Sequence, residues 1–392
     1  MAGKKKTSAT TETKGEKTLA EKLAALDDIC KGAVENGLAV AGRLSDPSIS
    51  EFLTIKWIPT PSDDVNELLG GGVPRGKVTI ISGAPDVGKT KLAEQTIAEG
   101  MKNDPNFVAV WMEAENSMNK KSMVEDGIDP NRLHFFSQNK QAAAEGIADT
   151  LFAILSADIK PDVVVINSLK MLVPKNEMIK SMEKVSVAEQ ARFNARLMNR
   201  IVPMLAENNT ALIIIQHLTT NIGQMFGNPE MLAGGRAIRH AAHIQLKLSR
   251  ISIQESDPIK KDEGVKIKAL CEKNHCEDNR YCYGSVEYYA IFGEGVEQIF
   301  STMKRLLDKG ELIQRGAWIY RLDDNGDKMD EWSWQGKGAF REDMKAHPEK
   351  LAELKDLIKG ECIIQSISSE EIAEIEREEQ AAEELLKEIE DN

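Results

Sequence analysis

Gly83-Ala84-Pro85-Asp86-Val87-Gly88-Lys89-Thr90 completes the pattern G-x-x-x-x-G-K-[ST]. The apolar run Val78-Thr79-Ile80-Ile81 before it predicts a buried strand, and Lys91 to Ala98 after it predicts a helix. A strand that turns through glycines into a helix can point its backbone N–H groups at a triphosphate. The helix N-terminus adds positive potential. Lys89 is placed to reach the outer phosphates and Thr90 to ligate Mg²⁺. The loop from Gly83 through Ala84, Pro85, Asp86, Val87 and Gly88 to Lys91 is therefore a candidate nucleotide site.

The flanking sequence repeats the strand–helix alternation. Val108 to Met112, Val163 to Ile166 and Ala211 to Ile215 are short continuous apolar runs, as expected of parallel strands buried on both faces. Glu183 to Asn208 reads as a long helix between two of them. The expected fold is α/β, doubly wound around a mostly parallel sheet. Ligands of such sheets lie beyond the carboxyl ends of the strands. The phosphate loop, Glu113 to Glu115, Asn167-Ser168 and Gln216-His217 all fall there.

Residues 17 to 40 carry a helical apolar pattern (Leu19, Leu23, Leu26, Ile29, Ala33), followed by a break at Gly42 and Asp46-Pro47. This segment is too small for its own core and reads as an arm that packs on something else. From Ser301 the character changes. Met303 to Leu312 predicts a helix, Trp318-Ile319-Tyr320 a strand, and Asp324-Asn325-Gly326-Asp327 a hairpin turn. The expected organisation is a disordered basic arm at 1–16, a helical arm at 17–50, an ATPase-like core at 51–300, a small α/β domain at 301–360 and an acidic tail at 361–392.

No stretch of the 392 residues approaches the roughly 20 apolar residues of a membrane span, so no membrane partner is expected. The polar N-terminus, with Lys4-Lys5-Lys6, lacks the apolar stretch of a secretory signal, and a cytoplasmic setting is expected. Five cysteines make no disulfide framework. Cys271, Cys276 and Cys282 beside His275 do not match paired zinc-knuckle spacing and read as reduced structural cysteines. The net charge of −13 is unevenly placed. Glu370 to Asn392 holds eleven Asp and Glu against Arg377 and Lys387, a net of −9, which leaves −4 for the rest. The body is thus free to carry a basic face. The tail reads as a solvated helix, an electrostatic mask or a docking helix.

The stretch after Gln216-His217 narrows the class. A buried strand gives way to a long Gly/Asn/Pro-rich segment containing Asn221, Ile222-Gly223, Met225-Phe226-Gly227-Asn228-Pro229-Glu230 and Gly234-Gly235. Loops of that length in compact domains are usually functional or disordered, and Met and Phe can wedge between bases. This segment closely resembles the second DNA-binding loop of the RecA family of recombinases. Leu68 to Gly76, Glu113-Ala114-Glu115, Gly293-Glu294-Gly295, Gly316-Ala317-Trp318 and Gln335-Gly336-Lys337 resemble further family segments, over roughly Leu53 to Ile358. Looser matches elsewhere are those of a diverged member of phage-encoded type.

The resemblance implies roles position by position. Gly83 to Thr90 would hold ATP and Mg²⁺, and Glu115 would be the base that polarises the attacking water. Gln216-His217 resembles the pair that senses the γ-phosphate, with His217 in the usual Gln position. Lys273 and His275 would reach the γ-phosphate from a neighbouring subunit. Lys175 lies in the first DNA loop, which begins at Val173, and Arg192 at a DNA-proximal position. Asn221, Gly223, Met225, Phe226, Gly227, Asn228, Gly234 and Gly235 would touch DNA. Asn167 stands where the family has an Asp supporting the Mg²⁺ water shell, and Ser122 where it has an adenine-stacking aromatic. What the resemblance implies is an ATP-dependent recombinase that forms a helical homo-filament on single-stranded DNA and pairs it with homologous duplex, with a mediator or single-strand-binding protein as a further partner. The alternative is a nucleotide-gated DNA-binding scaffold with little turnover. A ring-shaped helicase or clock-type ATPase fits the second loop less well.

Overall fold

The computed structural model describes residues 18–38, 40–137, 143–179, 187–220, 230–232, 236–255, 257–276, 282–323, 325–358, 365–366 and 372–373. The chain divides into two units, Met1–Ile55 and Lys56–Asn392. In the first unit, α1 (Leu19–Glu35) opens on a capping box: the Thr18 hydroxyl accepts from the Glu21 N–H, and the Glu21 carboxylate accepts from the Thr18 N–H at 2.8 Å. α2 (Pro47–Leu53) starts on the proline that interrupts the first helical pattern, a position where a missing N–H costs nothing. Arg43 donates to both carboxylate oxygens of Asp27 and ties the returning segment to α1. α1 has no buried residue, and Leu19, Leu26 and Ile29 are exposed. The segment thus has an apolar stripe but no core of its own.

In the second unit, β1 (Trp57–Ile58) and β2 (Val73–Pro74) pair antiparallel on either side of α3 (Asp63–Leu69) in the sequence. The main sheet is built, in chain order, from β3 (Val78–Gly83), β4 (Ala109–Glu113), β5 (Leu133–Ser137), β6 (Val163–Asn167), β7 (Ala211–Thr220), β8 (Glu230–Leu232), β9 (Ile244–Ile251), β10 (Gly264–Asn274), β11 (Gly284–Ile291) and β12 (Gly295–Glu297). Helices α4 (Lys89–Asn103), α5 (Lys120–Glu125), α6 (Ala144–Ser156), α7 (Lys175–Ile179), α8 (Val187–Asn208) and α9 (Arg236–Ala241) connect the parallel strands. The spatial order is β12-β11-β10-β9-β3-β7-β6-β4-β5, with β8 folded back on β7. Strands from β9 to β5 run parallel; β10, β11 and β12 run antiparallel.

The continuous apolar runs are explained by two cores. Successive strand residues point to opposite faces. Ile81, Trp111, Val165 and Ile213 face α4 through Leu92 and Ile97, while Ile80, Val110, Val164 and Ile214 face α6 and α8 through Leu151, Leu197 and Ile201. Every residue of β3, β4 and β6 is buried.

The small C-terminal part comprises α10 (Gln298–Lys309), β13 (Ile313–Arg315), β14 (Trp318–Leu322), β15 (Lys328–Gln335), α11 (Gly336–Ala346) and α12 (Pro348–Asp356). The predicted helix at Met303 to Leu312 begins five residues earlier and stops at Gly310, which caps it in the left-handed region. Its start was hidden because Ile299 and Phe300 belong to the apolar cluster of this C-terminal part, which also takes in Ile259 and Tyr289. The predicted turn forms around Asp323, whose carboxylate accepts from the N–H groups of Asn325 and Asp327. β16 (Gln365–Ser366) pairs with Gly284 and Ser285 of β11. Beyond Ser366, only residues 372–373 of the acidic segment are described. Cys271 is buried, and burial pushes its thiol up to about 12. Among the described residues no helix is long and apolar enough to cross a membrane, and no group of three His, Cys, Asp or Glu is arranged to hold a metal.

Candidate functional site

Strand register sets the site. Glu113 pairs with Asn167, Asn167 with Ile215, and His217 with Gly83, so four strand ends present their residues side by side. Gly83 has φ +154°, and a Cβ there would stand 2.4 Å from the Leu248 carbonyl oxygen. Only glycine passes this point. Gly88, at φ +91°, is the N-cap of α4, which places Lys89 and Thr90 in its first turn. The buried Lys89 ammonium donates to the Ala84 carbonyl at 2.7 Å. Burial pushes its pKa down; the charges of Glu115 and Asp86 oppose that.

The acidic pair divides its labour. Glu113 is 2% exposed. One of its oxygens accepts from the N–H groups of Glu115 and Ser117, the other from Trp111 Nε1 and Asn167 Nδ2. Glu113 therefore holds the turn that carries Glu115. Glu115 itself meets His217: Oε1 lies 3.0 Å from Nε2. Gln216 points the other way, fully buried, with both amide atoms lacking a partner among the described residues. The link between Glu115 and His217, two strands apart in the sheet, carried no sequence signal beyond their positions at strand ends.

The residues suit a magnesium ion. Mg²⁺ takes few protein ligands and keeps several waters. Thr90 stands at the helix start, and Asn167 Oδ1 is a buried acceptor without a partner among the described residues. The Asn167 amide nitrogen is spent on Glu113 at 3.0 Å, which gives this asparagine a reason. Asn167→Asp would set two buried carboxylates against each other, so the variant should melt lower than wild type in EDTA, by about 3 kcal/mol of stability. Added Mg²⁺ should recover most of that loss, and a melting curve indifferent to Mg²⁺ would place Asn167 away from the ion.

Lys91 is turned aside. Its ammonium reaches Asp126 at 2.6 Å, Ser122 at 3.0 Å and Glu94 at 3.3 Å. Burial, then the hydrogen-bonded Asp126, raise the Glu94 carboxyl from 4.5 to about 7, against the pull of Lys91. The folded chain thus holds a proton that the unfolded chain releases, and this stabilisation is lost as pH rises from 4.5 through 7. Glu94→Gln should therefore flatten the fall in urea midpoint across that window and gain on the order of 1–2 kcal/mol at pH 8. Equal slopes in the two proteins would contradict this.

Lys273 and His275 lie at the other end of the sheet from their own phosphate loop. Asn274 pairs with Ile244, which pairs with Thr79 at the start of β3, whereas Gly83 is its last residue. Lys273 donates to the Arg239 carbonyl at 3.1 Å. With Lys77 and His275 it surrounds His243, whose pKa falls to about 4 through burial first and these cations next. Lys175 is exposed at the start of α7, and Arg192 is exposed on α8. Asn221, Gly223, Met225, Phe226, Gly227, Asn228, Gly234 and Gly235 lie outside the described residues. The strand before them runs further than its apolar sequence suggested: Leu218 to Thr220 continue β7 and pair with β8, Thr220 against Glu230.

Residues 37–297 match the family described as RecA N-terminal domain. The chain is similar to Protein RecA of Aquifex pyrophilus, 30% identical over 86% of this chain and 91% of the relative. Protein RecA of Aquifex aeolicus (strain VF5) is 31% identical over 79% of this chain and 85% of its own length. That of Bacteroides thetaiotaomicron is 31% identical over 86% and 97%.

Proposed function

The chain belongs to the RecA family of recombinases, and on that premise we propose that it is an ATP-dependent homologous recombinase that assembles on single-stranded DNA and exchanges strands with a homologous duplex. The observation that carries this is the 3.0 Å contact between Glu115 and His217. It joins the candidate base for hydrolysis to β7, the strand that runs on toward the second loop.

In this proposal Glu115 takes a proton from the attacking water, which must lie in line with the γ-phosphate. Lys89 leaves the Ala84 carbonyl to pair with the outer phosphates. Thr90 would hold Mg²⁺, and Asn167 Oδ1 would accept a hydrogen bond from its water shell. When bound, magnesium offsets phosphate charge. His217 exchanges its contact with Glu115 for one with the γ-phosphate, and β7 carries that change toward residues 221–235. Lys273 and His275 serve a neighbouring subunit's nucleotide; their placement at the opposite sheet end supports this. The helical arm at 17–50 makes the head-to-tail contact that generates an open filament. Lys175, Arg192 and the second loop hold DNA.

Asn167 supports a second reading, a nucleotide-gated DNA scaffold with little turnover, because it brings no charge to the ion. Phosphate release with and without single-stranded DNA separates the two. Stimulation by DNA is expected of the recombinase, while DNA binding without phosphate release would favour the scaffold.

A further inference from the structure

Gln95 lies on α4, six residues past Lys89, and is buried. Its amide is fully used. Nε2 donates to the Glu294 carbonyl at 2.9 Å and to Asp126 at 3.2 Å, and Oε1 accepts from the Val296 N–H at 2.9 Å. The backbone of 294–296 closes around this amide with no slack. Gly295 sits between the two bonded residues at φ +90°, and a Cβ there would lie 2.0 Å from Gln95 Nε2.

The contacts extend in two directions. Asp126 also receives the ammonium of Lys91, the residue after Thr90. The Glu294 carboxylate receives Arg341 at 2.6 Å and Lys345 at 2.7 Å, both from α11 of the small domain. Arg341 further reaches Glu297, the N-cap of α10, at 3.2 Å. These are charge-assisted bonds, the stronger and more directional kind. A path of contacts therefore runs from the phosphate-loop helix into the small domain, through the Gln95 amide to the backbone of Glu294 and from the Glu294 carboxylate to α11.

We propose that Gln95 is a positioning residue that fixes the small C-terminal domain to the phosphate-loop helix, so that occupancy of the nucleotide site changes the placement of α11. The proposal rests on Gly83 to Thr90 being that nucleotide site. A displacement of α4 must either draw 294–296 with it or break both bonds that join Gln95 to it. Because an unpaired buried amide is costly, the chain follows.

Hydrogen–deuterium exchange of the full chain, with and without saturating non-hydrolysable ATP analogue and Mg²⁺, tests this. In wild type the analogue should slow exchange in the phosphate loop, in 294–297 and in α11. Gln95→Met keeps the side chain's length without its polar atoms. It should keep the slowing in the loop and lose at least half of it in α11. Glu294→Gln acts at the half-exposed outer end of the path, leaves α4 untouched and should do the same, which keeps the test open should Gln95→Met not fold. No slowing in the wild-type loop would overturn the nucleotide site itself. Slowing in the loop with none in wild-type α11, or an α11 response unchanged in the folded variants, would overturn the joint alone.

Discussion

Lys89→Ala should abolish ATP hydrolysis, with phosphate release falling by about 10³-fold or more, because the outer phosphates lose the charge that offsets theirs as the bond breaks. The structure sharpens this expectation. Lys89 is buried with a single neutral partner, the Ala84 carbonyl, and burial disfavours its charged form. An ammonium held this way contributes little to folding and much to a ligand that brings negative charge. The variant should therefore melt within a few degrees of wild type while binding nucleotide more weakly. Release within about tenfold of wild type would remove Lys89 from the chemistry.

Glu115→Gln should bind nucleotide and lose turnover by roughly 10²–10⁴-fold, the usual range for removing a general base. The amide keeps the shape and can still meet His217, so the loss would be of proton transfer alone. Glu113→Gln is the informative comparison. Its two oxygens serve four donors, and an amide nitrogen in place of one of them would face either Trp111 Nε1 and Asn167 Nδ2 or the N–H groups of Glu115 and Ser117. That variant should lose about 1–3 kcal/mol of stability in urea melts. Turnover lost in Glu113→Gln at unchanged stability, with Glu115→Gln active, would reverse the two assignments.

What could be read from the chain was what short stretches dictate by themselves. The phosphate loop is such a case, since its glycines, lysine and threonine act within eight residues. The runs at Val163 and Ala211 are another, because a strand covered on both faces has no polar side to alternate. The turn at Asp323 and the break at Asp46-Pro47 are equally local. What stayed hidden depends on residues brought together from afar. The burial of Glu113 is one example, because its partner Asn167 is 54 positions away. Lys91 read as a phosphate neighbour because nothing in the sequence ties it to Asp126. Gln95 passed unremarked as one polar residue of a helix, and its partners lie some 200 positions on. The start of α10 was misplaced because its first apolar residues pack with the small domain, not with the helix pattern that follows.

The most direct test of the account is a strand-exchange assay with the full chain, single-stranded DNA and labelled duplex, with ATP and Mg²⁺ present or withheld. Joint molecules should form only with homologous duplex and only when both ATP and Mg²⁺ are supplied. Equal products with heterologous duplex, or no products from a protein that binds single-stranded DNA and hydrolyses ATP, would contradict it.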